Sequence, residues 1–288
     1  LSSSSAASDV YKRQLYHQPL TWDSLMISRT NLRLALLTVA VAGLPVAAMA
    51  QSQPFIPAEA PQTWKVDIGG GVVRGFSATG NNSDEASFTA WGSASYRDIV
   101  YANGLDGLGW NAIKRDGFHA GVQLRPRFAA GDIDGMDRPE LGADAALYAY
   151  KRLPGNIVVG GRIQHDATGD DAGMEYYGSI SHQRVTRVGL LQTMAYMRAA
   201  DDERVQRYYG VSAAEASSSG FTAFEPSGGL SAAGAAALLA IPIGDRYGMG
   251  AFVNYEQRLG DIKDSPLIED DYIWRAGVIG VVRFNSGD

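Results

Sequence analysis

Short segments in which apolar and polar residues alternate constrain the fold of this chain more than any other feature of its sequence. Between residues 118 and 128, apolar or small side chains occupy the even positions, whereas the polar side chains His119, Arg125 and Arg127 occupy odd ones. A period of two residues places successive side chains on opposite faces of a β-strand, and an amphipathic helix does not have this pattern. The segment therefore predicts a strand with one apolar face and one charged face.

The same alternation recurs along the chain and predicts about twelve strands. Ten is the alternative count, because the segments near 99–103 and 107–114 alternate least clearly. The alanine-rich segment 230–243 is compatible with a strand or with a buried helix, and Pro242 beside three nearby glycines favours the strand. The predicted strands lie near residues 63–73, 87–97, 99–103, 107–114, 118–128, 141–151, 156–166, 174–184, 187–198, 230–243, 247–258 and 272–284.

The connections between the predicted strands alternate between short and long, with one exception near residues 104–106. A transmembrane barrel has short periplasmic turns and longer external loops, whereas a soluble sandwich gives no reason to sort its loops by length. The sequence therefore predicts an all-β, antiparallel, up-and-down transmembrane β-barrel. Short connections lie near 98, 115–117, 153–155, 185–186 and 244–246, and longer ones near 74–86, 129–140, 167–173, 199–229 and 259–271.

The first fifty residues do not share this pattern. Residues 26–50 begin with Arg29 and Arg33, continue with an apolar run broken at Pro45, and end in Ala48-Met49-Ala50, which is typical of a cleaved secretory signal peptide. A membrane anchor helix is the alternative, but the run is shorter than the roughly 20 residues that a bilayer requires. We expect residues 1–25 to be a non-native leader, 51–62 a periplasmic N-terminal segment, 63–284 the barrel and 285–288 a C-terminal overhang.

The composition argues against several classes of function. The chain has no cysteine, its net charge is −6 and its basic residues are scattered, so neither disulfides nor a nucleic-acid surface is expected. Beyond residue 50 there are three histidines, His119, His165 and His182, and no sequence pattern around them resembles those of barrel hydrolases. We therefore expect no catalytic residue, no cofactor and no enzyme activity.

Acidic residues in two predicted loops raise the question of a calcium site. Asp132, Asp134 and Asp137 form one group, and Asp170 with Asp171 forms another. Calcium loops use alternating oxygen ligands, but the ordered twelve-residue pattern that ends in glutamate is absent. We therefore expect solvated loop acids and no metal site, and a specific calcium site is the alternative.

Alternation predicts which charged side chains face the lumen of the barrel. Charges of both signs occur together, which favours a plugged or narrow interior over a pore of one sign, although a narrow channel for small solutes or ions is the alternative. The candidate lumen-lining residues are Lys65, Asp67, His119, Arg125, Arg127, Asp144, Arg162, Gln164, Glu256 and Arg258.

A short helix is predicted inside the longest loop. Ser212 and Glu215 have the S-x-x-E spacing of a capping box, which indicates a helix that begins near Ala213 and ends near Gly220. A mobile serine-rich loop is the alternative. If the helix forms, the sequence leaves open whether it plugs the barrel mouth or stands clear of it.

Five blocks of the sequence resemble the MipA/OmpV family, also called the MltA-interacting protein family. The likeness covers most of the chain from Ala102 onward, and the C-terminal blocks are the most specific. The blocks are Ala102–Ile113, Gly121–Asp137, Tyr208–Leu230, Arg258–Asp271 and the closing strand to Phe284.

The resemblance implies an outer-membrane barrel of Gram-negative bacteria, inserted by the barrel-assembly machinery among lipid and lipopolysaccharide. It also implies a scaffold that links a membrane-bound lytic transglycosylase to a bifunctional penicillin-binding protein during peptidoglycan growth, or a role in osmotic and envelope-stress adaptation. The family has no established catalytic residues, so none is carried over to this chain.

Overall fold

Twelve β-strands close into an antiparallel barrel in the computed structural model, which describes residues 63–75 and 81–286. Each strand pairs with its neighbours in sequence, and β1 pairs with β12 to close the barrel. The predicted fold is confirmed, with twelve strands rather than ten. The predicted leader, signal peptide and N-terminal segment lie outside the described residues, as do residues 287–288. The strands are β1 (Trp64–Arg74), β2 (Ala86–Tyr96), β3 (Val100–Asn103), β4 (Gly107–Arg115), β5 (Phe118–Arg127), β6 (Gly142–Leu153), β7 (Ile157–Asp166), β8 (Met174–Val185), β9 (Leu190–Ala200), β10 (Gly229–Ile243), β11 (Tyr247–Arg258) and β12 (Tyr272–Asn285).

Burial alternates along the strands as the sequence pattern predicts. In β11, the side chains of Phe252, Asn254 and Glu256 are buried. Val253 and Tyr255, which lie between them, are exposed on the opposite face. Apolar side chains of this kind cover the outer face of the barrel, which suits contact with lipid and would be an aggregation-prone surface in water.

The segment that was ambiguous between helix and strand forms β10, which pairs with β9 and β11 along most of its length. Its small side chains make room for large ones from neighbouring strands. A Cβ atom added at Gly234 would lie 2.4 Å from the ring of Tyr196, and Ala236 packs with Tyr177, Met194 and Tyr196 in one buried cluster. The alanines and glycines of β10 therefore leave space for the tyrosine rings of β8 and β9 inside the barrel.

The connections differ at the two ends of the barrel. At one end, which we call the short-turn end, tight turns join β2 to β3, β4 to β5, β6 to β7, β8 to β9 and β10 to β11. The turn between β6 and β7 is a 3-10 turn at Pro154–Asn156. The other end, the long-loop end, carries the longer connections, including a 3-10 helix at Gly260–Asp264 between β11 and β12.

The β3–β4 hairpin explains the one exception in connection length. β3 has four residues and pairs with Ser93–Tyr96, so its turn lies part-way along the barrel wall. The turn residues are buried: the amides of Leu105 and Asp106 donate to Asn103 Oδ1 at 2.9 and 2.7 Å. Leu105 joins a buried apolar cluster that includes Trp91 and Phe252. This turn therefore fills the interior instead of reaching out as a loop.

Two helices occupy the connection between β9 and β10. Helix α1 (Asp202–Tyr209) begins at Asp201, whose carboxylate accepts a hydrogen bond from the Arg204 amide. Helix α2 (Ala213–Ser219) follows, and Gly220 ends it in the left-handed conformation at φ 83°. The sequence predicted α2. It did not predict α1, because the residues before α2 were assigned to a loop, and that assignment was wrong. None of the helices in residues 63–75 and 81–286 is long and apolar enough to cross a bilayer.

Candidate functional site

A buried polar network lies inside the long-loop half of the barrel. Its side chains lie on the inner face of strands β5 to β9 and β11, and α1 contributes further side chains from the long-loop end. Lys65 and His119 are half-buried, and Lys65 pairs with Asp98 at 3.3 Å at the short-turn end. The other eight predicted lumen-lining residues are buried, namely Asp67, Arg125, Arg127, Asp144, Arg162, Gln164, Glu256 and Arg258.

Arg127 on β5 is surrounded by carboxylates. Its Nη2 atom lies 3.4 Å from Asp166 Oδ1 and 2.5 Å from Asp170 Oδ2, and its Nε lies 3.5 Å from Asp144 Oδ1. Nη2 also donates to Thr168 Oγ1 at 2.9 Å. A buried guanidinium needs such partners, because an unpaired charge in a low-dielectric interior is costly. Asp170, one of the two loop acids considered for calcium, thus contacts an arginine.

Arg204 connects α1 to the barrel wall. Its Nη2 atom donates to Asp144 Oδ2 at 2.9 Å, and its Nε lies 3.9 Å from Glu175 Oε2. Burial alone would lower the pKa of Arg204, but the carboxylates of Glu175 and Asp144 outweigh burial and raise that pKa above its ordinary value. Arg204 is therefore always charged, and the helix is held to β6 and β8 by ion pairs.

Glu175 on β8 is shared by three guanidinium groups. Arg162, Arg198 and Arg204 approach its carboxylate at 3.9, 3.7 and 3.9 Å. Arg198 also pairs with Glu256 on β11, which accepts a hydrogen bond from the Tyr196 hydroxyl at 2.9 Å. The network thus runs from α1 through β8 and β9 to β11.

Helix α1 closes this region from the long-loop end. Val205 packs with Ala200 and Ile262 in a small buried cluster. Ser265 Oγ donates to the Tyr209 carbonyl at 2.7 Å, which ties the end of α1 to the loop between β11 and β12. Helix α1 therefore lies folded into the barrel mouth, whereas the predicted helix α2 has no buried residue.

Helix α2 lies against the loop between β5 and β6. Ser212 and Glu215 form both hydrogen bonds of a capping box, and the Asp137 amide donates to Glu215 Oε1 at 3.1 Å. Burial would raise the pKa of Glu215, but hydrogen bonds from Ser212 and Asp137 outweigh burial and lower that pKa. Asp137 also pairs with Arg207 of α1 at 3.2 Å. In residues 63–75 and 81–286, no group of three or more potential ligands is arranged to hold a metal ion.

Two further buried pairs lie outside this network. Asp106 in the β3–β4 turn pairs with Arg125 of β5. Near the short-turn end, Arg283 of β12 donates from Nε and Nη2 to the two carboxylate oxygens of Asp67 on β1, both at 2.7 Å. These two β-strands are the first and the last of the barrel, so the second pair spans its closing seam.

Sequence reasoning missed several members of these networks. Glu175, Arg198 and Arg283 occupy the alternate positions of their strands that face the lumen. The alternation that predicted the other lumen-lining residues would therefore have found these three as well. Arg204 depended on recognising α1, for which the signal was Asp201 before an acidic first turn.

A cavity of about 200 Å³ lies beneath α1, within the polar network. Its wall contains six arginines and three carboxylates, together with apolar side chains such as Leu105 and Ile262. The charged lining residues are Arg125, Arg127, Arg162, Arg198, Arg204, Arg258, Asp144, Glu175 and Glu256.

The sequence model of the family described as MltA-interacting protein MipA matches residues 68–284, which is most of the chain and nearly the whole barrel. The chain belongs to the MipA family. This confirms the predicted family. No curated protein sequence matches the chain.

Three solved structures of outer-membrane proteins are similar to this MipA-family barrel at low identity. The NanC porin is 10% identical, with 75% of this chain and 98% of that chain covered and a TM-score of 0.40. A bacterial polysaccharide outer membrane secretin is 12% identical, with 78% and 100% covered and a TM-score of 0.38. An outer membrane channel from Pseudomonas putida F1 is 10% identical, with 81% and 100% covered and a TM-score of 0.39.

Proposed function

We propose that this MipA-family protein is a non-enzymatic outer-membrane scaffold for enzymes that remodel peptidoglycan. The observation that carries the proposal is α1, which is folded into the barrel mouth and ion-paired through Arg204 to Asp144 and Glu175. A barrel whose interior is bridged in this way is better suited to binding partners than to passing solutes. The family description, which names an interaction with another protein, supports the same role.

The short-turn end supplies a surface for such a partner. Three consecutive hairpin turns, from β4 to β9, carry six exposed cationic side chains and one exposed acid, Asp116. Asp98 on the neighbouring turn offsets Lys114 at 3.3 Å. We call this surface the basic arc. Its cations are Lys114, Arg115, Lys151, Arg152, Arg184 and Arg187.

Because barrels of this type have their short turns in the periplasm, the basic arc would face the peptidoglycan layer. A surface of one sign steers an acidic partner and sets its orientation. The partners we propose are a membrane-bound lytic transglycosylase and a bifunctional penicillin-binding protein. A stable interface buries roughly 800 Å² per partner, so we propose that the N-terminal segment 51–62 adds to the area that the turns offer. A role in osmotic or envelope-stress adaptation would follow from the same contacts.

Co-purification tests this proposal. The mature protein, extracted in a mild detergent from cells that contain both enzymes, is expected to retain them. The double variant Lys151→Glu with Arg184→Glu should lose most of the bound enzyme, because both changes reverse charge on the basic arc. Arg74→Glu, which changes an exposed arginine at the long-loop end, is the matched control and should retain the enzymes.

Recovery of neither enzyme with the unaltered protein would overturn the scaffold proposal. Equal recovery with the double variant would place the interface elsewhere on the barrel. Each variant must first show the heat-modifiable gel band of a folded barrel, so that loss of binding is not loss of structure.

A narrow channel for small solutes or ions is the second candidate. The mixed charges around the cavity beneath α1 favour it, since a polar interior is suited to hydrated solutes. Steady conductance in planar bilayers that changes when Arg125 or Arg127 is replaced would support the channel over the scaffold. Absence of conductance from folded, inserted protein would count against it.

A further inference from the structure

The strongest unexplained feature of the interior is the arrangement of arginines around Glu175. Arg162, Arg198 and Arg204 all lie within 3.9 Å of its carboxylate, and all three line the cavity beneath α1. At 3.7 to 3.9 Å these contacts are ion pairs that are longer than hydrogen bonds. Three guanidinium groups therefore converge on one carboxylate, while space is left between them.

Arg162 is held in a fixed position from several sides. Its guanidinium stacks on the ring of Tyr177 at 4.7 Å from the ring centre, and its Nε donates to Gln164 Oε1 at 2.7 Å. Tyr177 in turn stacks on Tyr196. An arginine fixed by its flat face presents its edge to whatever lies beside it, and a guanidinium edge is suited to oxyanions.

That edge has donors without a partner. Arg162 is 5% exposed, and its Nη1 atom has no hydrogen-bond partner among residues 63–75 and 81–286. The Nε atom of Arg198 is likewise shielded from solvent without a partner in that part of the chain. Buried donors are nearly always satisfied in proteins, so these two atoms require an acceptor, which a water molecule or a bound anion in the cavity would supply.

The arginines that line the cavity differ in how their carboxylate partners are shared. Arg125 and Arg127 have carboxylates of their own behind the cavity wall, Asp106 for the first and Asp166 with Asp170 for the second. Arg162, Arg198 and Arg204 share the carboxylates of Glu175, Glu256 and Asp144, and Asp144 is also a partner of Arg127.

We propose that the cavity beneath α1 is a binding site for a small oxyanion, a carboxylate or a phosphate group, whose oxygens accept hydrogen bonds from Arg162 Nη1 and Arg198 Nε. A volume of about 200 Å³ is several times the ~30 Å³ of one water molecule, so a small oxyanion fits. Helix α1 covers the site through Arg204, so a bound anion also adds a contact between the helix and the wall. This proposal does not depend on the scaffold role and is tested separately from it.

Calorimetric titration of the mature protein, folded in detergent micelles, tests the site. The probes are inorganic phosphate and acetate, each titrated at constant ionic strength with chloride as the competing background. Binding of phosphate alone would assign the site to phosphate groups, binding of acetate alone would assign it to carboxylates, and binding of both would assign it to small oxyanions of either kind. Whichever probe binds, the Arg162→Gln variant should bind it at least about tenfold more weakly, because a charge-assisted hydrogen bond is lost.

Matched variants keep the test decisive. Arg74→Gln removes an exposed arginine far from the cavity and should bind the probes as the unaltered protein does. Arg162→Lys retains the charge without the planar edge and should bind with intermediate strength. If Arg162→Gln fails to fold, Arg162→Lys and Arg198→Gln carry the comparison. The proposal is overturned if neither probe binds, or if the folded Arg162 and Arg198 variants bind as tightly as Arg74→Gln.

Discussion

Near the short-turn end of the barrel one buried ion pair stands alone, whereas at the long-loop end buried charges are shared among many partners. Arg283 and Asp67 bind each other through two hydrogen bonds of 2.7 Å. By contrast, Asp144 has Arg127 and Arg204 as ion-pair partners, and Glu175 has three. An isolated pair permits one geometry, while a shared network retains partners when one contact is lost. The comparison predicts that the loss of one buried partner costs more free energy of unfolding at the short-turn end than at the long-loop end.

The largest expected effect is at the isolated pair. Arg283→Ala leaves the Asp67 carboxylate buried without its partner, and the expected loss of unfolding free energy is about 3–5 kcal/mol. Urea unfolding from lipid vesicles, followed by tryptophan fluorescence, measures it. Arg74→Ala removes an arginine from an exposed pair and is the control, with an expected change of roughly 0–1 kcal/mol. Similar losses for both variants would contradict the distinction between the two ends.

A smaller and more local effect is expected at Arg204. Arg204→Ala detaches α1 from Asp144, but Asp144 keeps Arg127 and Gln164 as partners. The free energy for local opening of α1 should fall by about 1.5–3 kcal/mol, while the global unfolding free energy changes less than in Arg283→Ala. Hydrogen exchange of the α1 amides, compared with those of β12, separates the two quantities. A global loss as large as that of Arg283→Ala would refute the idea of a shared network.

The capping box of α2 should contribute less again. Ser212→Ala removes the hydroxyl that accepts from the Glu215 amide, and a lost N-cap costs about 1 kcal/mol. The expected result is faster hydrogen exchange in residues 213–219 with no change in β-strand exchange. Ser217→Ala changes an exposed serine of the same helix without removing the cap, so it is the matched control.

The smallest effect is a pH dependence at the same helix. The pKa of Glu215 is lowered in the folded protein, so its stabilising contribution is complete above the ordinary glutamate pKa of about 4.3. The contribution is lost as the pH falls through the folded value. Exchange of the α2 amides, corrected for intrinsic rates, should therefore rise between about pH 5 and pH 3. The Glu215→Gln variant should show no such rise.

The sequence predicted the strands well because a lipid-facing wall imposes its own pattern. Residues on the outer face must be apolar and inward residues need not be, so a period of two persists even through charged segments such as 118–128. The alternation of short and long connections in turn predicted the up-and-down barrel, because such a barrel has its short turns at one end and its long loops at the other. The β3–β4 turn departs from that pattern because Leu105 and Asp106 fill the interior, a role that composition does not reveal.

The site was less predictable because its contacts depend on register and on a short helix. Alternation shows that Arg127 or Asp144 has inward parity, but pairing Arg283 with Asp67 requires the relative position of strands 216 residues apart. Helix α1 has eight residues, too few for a strong periodic signal, so Arg204 was not expected inside the barrel. Such short helices depend on tertiary contacts more than on local propensity.

The pair at the seam also has a consequence for the order in which the barrel assembles. Asp67 and Arg283 can meet only after the first and last strands have come together across nearly the whole chain, which is the contact with the greatest loop-closure cost. The pair therefore stabilises only the closed barrel, because an open sheet of the same twelve strands cannot form it.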